Sequence, residues 1–504
     1  MRRRDIFRAT AGLALPMAGR ADVPTHRWDG YDFGPGPKVD DRLDQGPFGI
    51  EQDQGWFTIA TTTASSEPVR NFGTGLVGYT WEEGGPSLAA RSGKETLERH
   101  VEKMAALPFV DVLYIRCDWR DVQKAPGRLD LHPVWKLTLD AAREKKLRVA
   151  FRVMISNTVG QPRYLAMPDF LNGRVPVATI GRYEGHDMRE PQYDHPAFQA
   201  AFQDLVELLA REFEGNPLVE FVDLMQYGYW GEGHTADQPA PFPDYLTAEK
   251  TFVGMTRRQL EAFRRTPLAV NTQPDISSVG NREVIDMAVR SGCWLRSDSV
   301  IVEEPEQIEI LSNRPPWLAV VMEDGYYRQY RLESGSGLES TILHVLDLGG
   351  NYWSLWTETD NLQRFYERYP NGFDTLRRRM GYRIRPSWIW QRKRYGTSEL
   401  VVAFSNDGVA GIPGVLRVFV STPDGKVRVG GGLDAGHPHG GKLRLASFVL
   451  PKGLEGQTVH LTAELETGGV RRPVRWSCAQ PLSPDGAFAV KLKALGDRNW
   501  RKGI

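Results

Sequence analysis

The sequence predicts an α/β protein, a (β/α)8 TIM barrel over residues 74–384 followed by a C-terminal antiparallel β-sandwich domain over residues 385–504. Three observations predict it. A short apolar run followed by an amphipathic one recurs eight times across roughly 310 residues, which is the rhythm of a closed parallel barrel. The apolar runs are hydrophobic on both faces and rich in β-branched and aromatic residues, as parallel strands buried on both sides must be. From residue 385 the period falls to two, with Asp-Gly and Gly-Gly turns between the runs and no helix-period segment. A doubly wound sheet would alternate in the same way, but no glycine-rich phosphate loop follows the first strand, so the barrel is the better reading.

The units follow in order. GLVGYTW (75–81) precedes the helix KETLERHVEKMAAL, and VDVLYIRCDW (110–119) precedes HPVWKLTLDAAREKK. LRVAFRVMIS (147–156) leads through a long loop, 157–196, to PAFQAAFQDLVELLAREF. LVEFVDLMQYGYWGE (218–232) precedes AEKTFVGMTRRQLEAFRR, and PLAVNTQ (267–273) precedes NREVIDMAVRSG. CWLRSDSVIV (293–302) precedes EPEQIEILSN, and WLAVVMEDGYY (317–327) precedes GLESTILHVLDLG. GNYWSLWTE (350–358) precedes NLQRFYERYPNGFDTLRRRMG, read as a single helix. In the sandwich, ELVVAFSNDG, VLRVFVSTPDGKV, KLRLASFVL, TVHLTAELETGG and GAFAVKLKAL read as strands. Residues 22–73 are rich in Gly, Asp and Pro, carry one strand-like run, WFTIATTT (56–63), and read as an N-terminal arm or cap.

The first 21 residues, MRRRDIFRATAGLALPMAGRA, join an arginine cluster to a modest apolar stretch and a small-residue end. That pattern is expected of a twin-arginine export signal cleaved near Ala21, with a periplasmic or secreted product. Formal net charge is zero, so no global field draws the chain to nucleic acid or an acidic membrane, and no apolar run reaches membrane-spanning length. Three widely spaced cysteines, Cys117, Cys293 and Cys478, form neither a disulfide framework nor a zinc pattern and are expected as buried free thiols. No cofactor and no metal site is expected, since no second histidine or cysteine stands at metal spacing from His234.

Barrel proteins carry their chemistry on the C-terminal ends of the strands, so those ends belong together. The first strand ends in Tyr79, Trp81, Glu82 and Glu83; the second offers Arg116, Asp118 and Trp119; the third offers Arg152. The fourth gives Tyr227, Tyr229, Trp230, Glu232 and His234, and the fifth Asn271 and Gln273. Arg296 and Asp298 end the sixth, Glu323, Asp324, Tyr326 and Tyr327 the seventh, and Tyr352, Trp353, Trp356 and Glu358 the eighth. Aromatic faces stack on the C–H-rich face of a sugar ring while carboxylates and amides hold its hydroxyls, and the excess of tryptophan suits such a site. The plainer reading of each ring is packing between barrel and helices. The three arginines have two readings as well, ion pairing with barrel carboxylates or bidentate recognition of an anionic sugar.

With these residues in view, the chain resembles the clan A glycoside hydrolases, whose acid/base glutamate follows strand four and whose nucleophilic glutamate ends strand seven. Glu232 after LVEFVDLMQYGYWG and Glu323 in WLAVVMEDGYY match those two places, and Arg116 matches the arginine that orients the nucleophile. The segment CDWRDVQKAPGRLDLHPVWKLTLDAAREKKLRVAFR looks like the corresponding stretch of such barrels. GYWGE (228–232) and SNDGVAG (405–411) are similar to a G-x-W-G-E motif and an N-x-G-V-A sandwich opening found in secreted bacterial barrels. Gly231 departs from the asparagine that many clan members carry directly before the acid/base residue.

The resemblance implies a glycoside hydrolase acting on an oligo- or polysaccharide, most often with retention, with Glu232 and Glu323 as the catalytic pair. Trp81, Arg116, Trp119, Arg152, Tyr229, Trp230, His234, Asn271, Arg296, Asp298, Tyr326, Trp353 and Trp356 are the expected substrate-binding residues. Retention would need the carboxyls about 5–5.5 Å apart and inversion about 6.5–9.5 Å. Two other readings fit the same residues: a non-catalytic carbohydrate-binding barrel, and a polysaccharide lyase worked by arginines and tyrosines.

Overall fold

The structure, a computed structural model, describes residue 47 and residues 55–86, 88–158, 164–233, 242–272, 281–324 and 335–496. The expected export segment, His234, Gln273, Tyr326 and Tyr327 lie outside the described residues.

A first strand, β1 (Phe57–Thr61), precedes the barrel in the chain. The next strands are β2 (Gly75–Trp81), β3 (Val112–Asp118) and β4 (Arg148–Met154). A hairpin, β5 (Val177–Tyr183) and β6 (His186–Pro191), intervenes before β7 (Val219–Asp223). Then come β8 (Leu268–Asn271), β9 (Trp294–Ser297), β10 (Val320–Glu323) and β11 (Tyr352–Leu355). Leaving out β1 and the hairpin, these eight strands close a barrel in which every neighbouring pair is parallel. All eight runs expected as barrel strands are present.

The pleat decides what fills the barrel. Successive side chains alternate between faces, so residues two apart share one. Val77 and Tyr79, Val112 and Tyr114, Phe221, Trp294, Val321 and Tyr352 join one apolar cluster with Phe72, Tyr382, Ile384 and Phe404. Leu76, Leu113, Ile115, Phe151, Leu295, Met322 and Trp353 join the other, with residues of the surrounding helices. The first cluster therefore runs from the barrel interior into the sandwich, and the second is the layer between barrel and helices.

The sandwich stands on two antiparallel sheets. One is β1, β12 (Ile384–Arg394), β13 (Thr397–Asn406) and β16 (Leu443–Val449). The other holds β14 (Val415–Ser421), β15 (Arg428–Gly432), β17 (Thr458–Thr467), β18 (Val470–Val474) and β19 (Phe488–Lys491). The run at 56–63 thus supplies an edge strand of the first sheet, paired with β12. Within SNDGVAG, Asn406 Nδ2 donates to the carbonyls of Ala410 (2.8 Å) and Pro438 (3.0 Å), and its Oδ1 accepts from the Arg383 and Gly408 N–H groups. A Cβ on Gly408 would stand 2.3 Å from the Gly381 carbonyl oxygen. That motif is a joint between the last barrel helix and the sandwich.

Three local features depart from expectation. The last barrel segment is two helices, Thr359–Arg368 and Pro370–Arg379, because Pro370 cannot donate the N–H that a continuous helix needs there and opens a new one instead. The loop at 157–196 contains the β5–β6 hairpin, closed through Glu184 and Gly185 at φ 48° and 83°; its mostly exposed residues leave no alternating apolar signal. Strands β12 and β18 carry Arg, Lys, Gln and Pro at many positions, which hid them. The three cysteines are free and buried. No helix among the described residues is long and apolar enough to cross a membrane.

Candidate active site

The inward parity that fills the lower barrel with rings continues upward into charge. One pleat above Tyr114, Ala150, Phe221, Trp294, Val321 and Tyr352 stand Arg116, Arg152, Asp223, Arg296, Glu323 and Ser354. Glu232 joins this layer from outside the strands. In GYWGEG, Gly228, Trp230, Gly231 and Gly233 all have positive φ (103°, 56°, 67° and 83°). Two successive turns close there, with the Gly231 N–H on the Gly228 carbonyl (3.1 Å) and the Glu232 N–H on the Tyr229 carbonyl (3.0 Å). The chain folds back, and Asn271 Nδ2 holds the Glu232 carbonyl at 2.9 Å. At Gly231 a Cβ would stand 3.0 Å from Met154 Cγ, so the left-handed conformation and the close neighbour together account for glycine there.

The charged groups close a ring. Arg116 Nη2 donates to Glu232 Oε1, and its Nη1 donates to Glu83 Oε1 and, at 3.3 Å, to Glu323 Oε1. Arg152 Nη1 donates to the same Glu232 oxygen at 3.1 Å, and its Nη2 donates to Asp223 Oδ2 at 3.0 Å. Arg296 Nη1 lies 3.2 Å from Asp223 Oδ2, and its Nη2 donates to Glu323 Oε2. Going round, the order is Arg116, Glu232, Arg152, Asp223, Arg296, Glu323 and back to Arg116, with Glu83 attached to Arg116. Glu232 is 4% exposed, Glu323 2%, and the three arginines 1% or less, so bulk water screens little of this attraction.

Phenols complete the arrangement. The Tyr79 O–H donates to Glu323 Oε1 at 2.9 Å; the Tyr79 phenol oxygen in turn accepts from Arg296 Nη2 at 3.0 Å and lies 2.9 Å from Ser354 Oγ. The Tyr114 O–H donates to Asp223 Oδ2 at 2.5 Å. Burial pushes the Glu323 carboxyl up from its ordinary value, opposed first by Arg116 and then by Arg296. Burial also raises Tyr79, reinforced by Glu323, so that phenol stays protonated and donates. For Arg116, burial pulls downward but is outweighed by Glu323, Glu232 and Glu83, and the guanidinium stays charged.

Of the residues named from sequence, Glu232, Glu323, Arg116, Arg152, Arg296 and Asn271 are brought together. Tyr229 and Trp230 are half-buried on the turn before Glu232, with ring centroids 5.6 Å apart. Trp356 donates its indole N–H to Glu83 Oε2 at 3.1 Å, beside the ring. Asp298 is buried just beyond β9.

Three tryptophans stand elsewhere. Trp119 and Trp353 have outward parity and pack in the helix layer, Trp119 edge-on to Phe198 and Trp353 stacked on Phe373. Trp81 has inward parity, but the pairing of β2 with β3 shifts register between Tyr79 and Trp81, and this irregularity turns Trp81 outward against His132. Asp223, Tyr114 and Ser354 were missed as site residues, and Glu83 was read only as a strand-end acid. Inward parity with Arg116, Arg152 and Arg296 is the signal that would have found the first three.

A buried carboxyl outside this ring, Glu190, lies on the rim after β4. Glu190 Oε1 accepts from Ser156 Oγ (2.6 Å), Tyr193 donates to its Oε2, and Tyr193 also reaches the Ile155 carbonyl at 3.2 Å. Burial pushes this carboxyl up to about 7. Well below pH 4.5 both folded and unfolded states hold its proton. Between about 4.5 and 7 only the folded state does, so stability falls as pH rises through this window, by about 3 kcal/mol once pH exceeds 7. Glu190→Gln is neutral at every pH and keeps hydrogen-bonding capacity. We expect it to flatten the fall in Tm between pH 5 and pH 8, measured by thermal unfolding; an unchanged slope contradicts this.

No protein-family model matches the chain, and no curated protein sequence matches it. Solved structures to which the chain is similar include endo-glycoceramidase II from Rhodococcus sp., at 12% identity and TM-score 0.36 over 78% of this chain and 100% of that one. An exo-β-1,4-mannosidase from Opitutaceae bacterium strain TAV5 is similar at 13% identity and TM-score 0.34 over 63% of this chain and 61% of that one, so the match spans about three fifths of the mannosidase. A β-galactosidase from Rahnella sp. R3 is similar at 9% identity and TM-score 0.38 over 63% of this chain and 57% of that one. Likeness at this level decides nothing about chemistry.

Proposed function

We propose that the protein is an exported glycoside hydrolase that cleaves O-glycosidic bonds of an oligo- or polysaccharide, with Glu323 as nucleophile and Glu232 as acid/base. The single observation that carries this reading is that Glu232, from the turn after strand four, and Glu323, at the end of strand seven, meet on one guanidinium, that of Arg116. Glycosidic cleavage needs two carboxyl groups flanking one bond, one to protonate the leaving oxygen and one to attack or to activate water. Burial raises the Glu323 carboxyl, and the hydrogen bonds it takes from Arg116, Arg296 and Tyr79 work against that push in favour of the ionised form that a nucleophile requires. Trp356, Tyr229 and Trp230 are the half-buried rings that a sugar could stack on. Retention, and export through residues 1–21, belong to the same proposal.

Ion pairing uses much of the charge of Arg116, Arg152 and Arg296, so anionic-sugar recognition by them is the less supported reading. The test is sugar release by the mature protein from a panel of neutral and acidic glycans, beside Glu323→Gln. Release by the wild type and its loss in the variant is expected. No release from any glycan, with binding retained by both proteins, moves the reading to a carbohydrate-binding barrel; an unsaturated, ultraviolet-absorbing product moves it to a lyase.

A further inference from the structure

We propose that Asp223 is the positioning residue of the site, holding Arg152 and Arg296 and through them setting the placement and charge of Glu232 and Glu323. The inference rests on the reading of those two glutamates as the working pair. Asp223 is fully buried at the end of β7, and its Oδ2 is the meeting point of three groups: the Tyr114 O–H at 2.5 Å, Arg152 Nη2 at 3.0 Å and Arg296 Nη1 at 3.2 Å. Each arginine is a fork. For Arg152, Nη2 donates to Asp223 and Nη1 to Glu232; for Arg296, Nη2 donates to Glu323 while Nη1 faces Asp223 as an ion pair at 3.2 Å, without a hydrogen bond. A planar guanidinium with both arms engaged has little freedom left, so fixing one arm aims the other.

The charges give the link a sign. Three guanidiniums, Arg116, Arg152 and Arg296, face four carboxyls, Glu83, Asp223, Glu232 and Glu323, with the phenols of Tyr79 and Tyr114 between them. Asp223 is linked to both glutamates through Arg152 and Arg296, and it neutralises part of the charge of both arginines. Asp223→Asn keeps the shape, removes one negative charge and leaves three guanidiniums to three carboxyls. Glu232 and Glu323 then lose their protons more readily. Tyr114→Phe acts in the opposite sense: it removes a donor from Asp223 and leaves that carboxylate's charge more fully on Arg152 and Arg296.

The experiment is the pH profile of kcat/KM for sugar release by wild type, Asp223→Asn, Asp223→Glu and Tyr114→Phe. It is paired with pH-dependent infrared spectra of protein labelled with 13C at the glutamate carboxyls, using Glu232→Gln and Glu323→Gln to assign the bands. We expect both limbs of the Asp223→Asn profile, and both bands, to move to lower pH by about 1 unit. Tyr114→Phe should move them the other way, and Asp223→Glu should return them toward wild type. A merely structural Asp223 would lower Tm and leave profile and bands in place, and that result overturns the proposal. If no glycan is released at all, the hydrolase reading fails while the bands still decide: their shift supports the link, and their constancy overturns it. If Asp223→Asn does not fold, the direction of the Tyr114→Phe shift decides in the same way.

Discussion

Glu323→Gln lowers the turnover of any glycan the wild type cleaves by at least roughly three orders of magnitude, with binding retained. The amide has the carboxylate's shape but cannot attack an anomeric carbon or hold the charge that develops against it. The same change disturbs the ring, because Glu323 is partner to Arg116 and Arg296, both essentially unexposed. Removing one charge from a buried pair costs about 3–5 kcal/mol in general, and the amide oxygen recovers part of that by still accepting a hydrogen bond. The variant should therefore melt earlier yet remain folded at assay temperature, which thermal unfolding beside the assay would establish. A folded variant that keeps wild-type turnover contradicts the role given to Glu323.

Arg116→Met has the largest expected effect on stability. Arg116 is 1% exposed and is bonded to Glu83, Glu232 and Glu323 at once. Methionine fills much of the space but leaves three carboxyls facing one another without that cation, at a cost of about 3–5 kcal/mol where all are ionised. The pH dependence follows from the sign. Without Arg116 these carboxyls hold their protons more tightly in the folded state than in the unfolded one. The penalty is therefore absent below the ordinary carboxyl range and grows as pH rises through and above it. Thermal unfolding at several pH values should show a variant well below wild type in Tm at pH 8, with the gap narrowing toward pH 4–5. An equal Tm at pH 8 contradicts the ring's place in the fold.

Much of the barrel was legible because its strands repeat one pattern: apolar, short and followed by a helix-period run. The sandwich was legible where alternation was clean, as in β14 and β17, and hidden where strands are charged, as in β12. At the site, Glu232 and Glu323 could be named only through the family resemblance, which marks the place after strand four and the end of strand seven. Their meeting on Arg116 depends on the back-fold of GYWGEG, whose positive φ values no periodicity reports. Trp353 shows the limit of choosing by residue type: its ring suits a sugar, but its parity sends it to the helices. Trp81 shows the limit of parity, since one register irregularity in β2 reverses it. Asp223 was passed over because it stands within an apolar run and beside no other chemical group in sequence; only the closed barrel brings Arg152 and Arg296 to it.

The central claim is that Glu232 and Glu323 act as one unit. The measurement that tests it most directly is a double-mutant cycle on kcat/KM with Glu232→Gln, Glu323→Gln and the double variant, using a glycan the wild type cleaves and folded protein throughout. Residues that act as one unit give strongly non-additive losses, so the double variant should be no slower than the slower single variant within about threefold. Losses that multiply, or a Glu232→Gln variant as fast as wild type, would contradict the pairing on which the account stands.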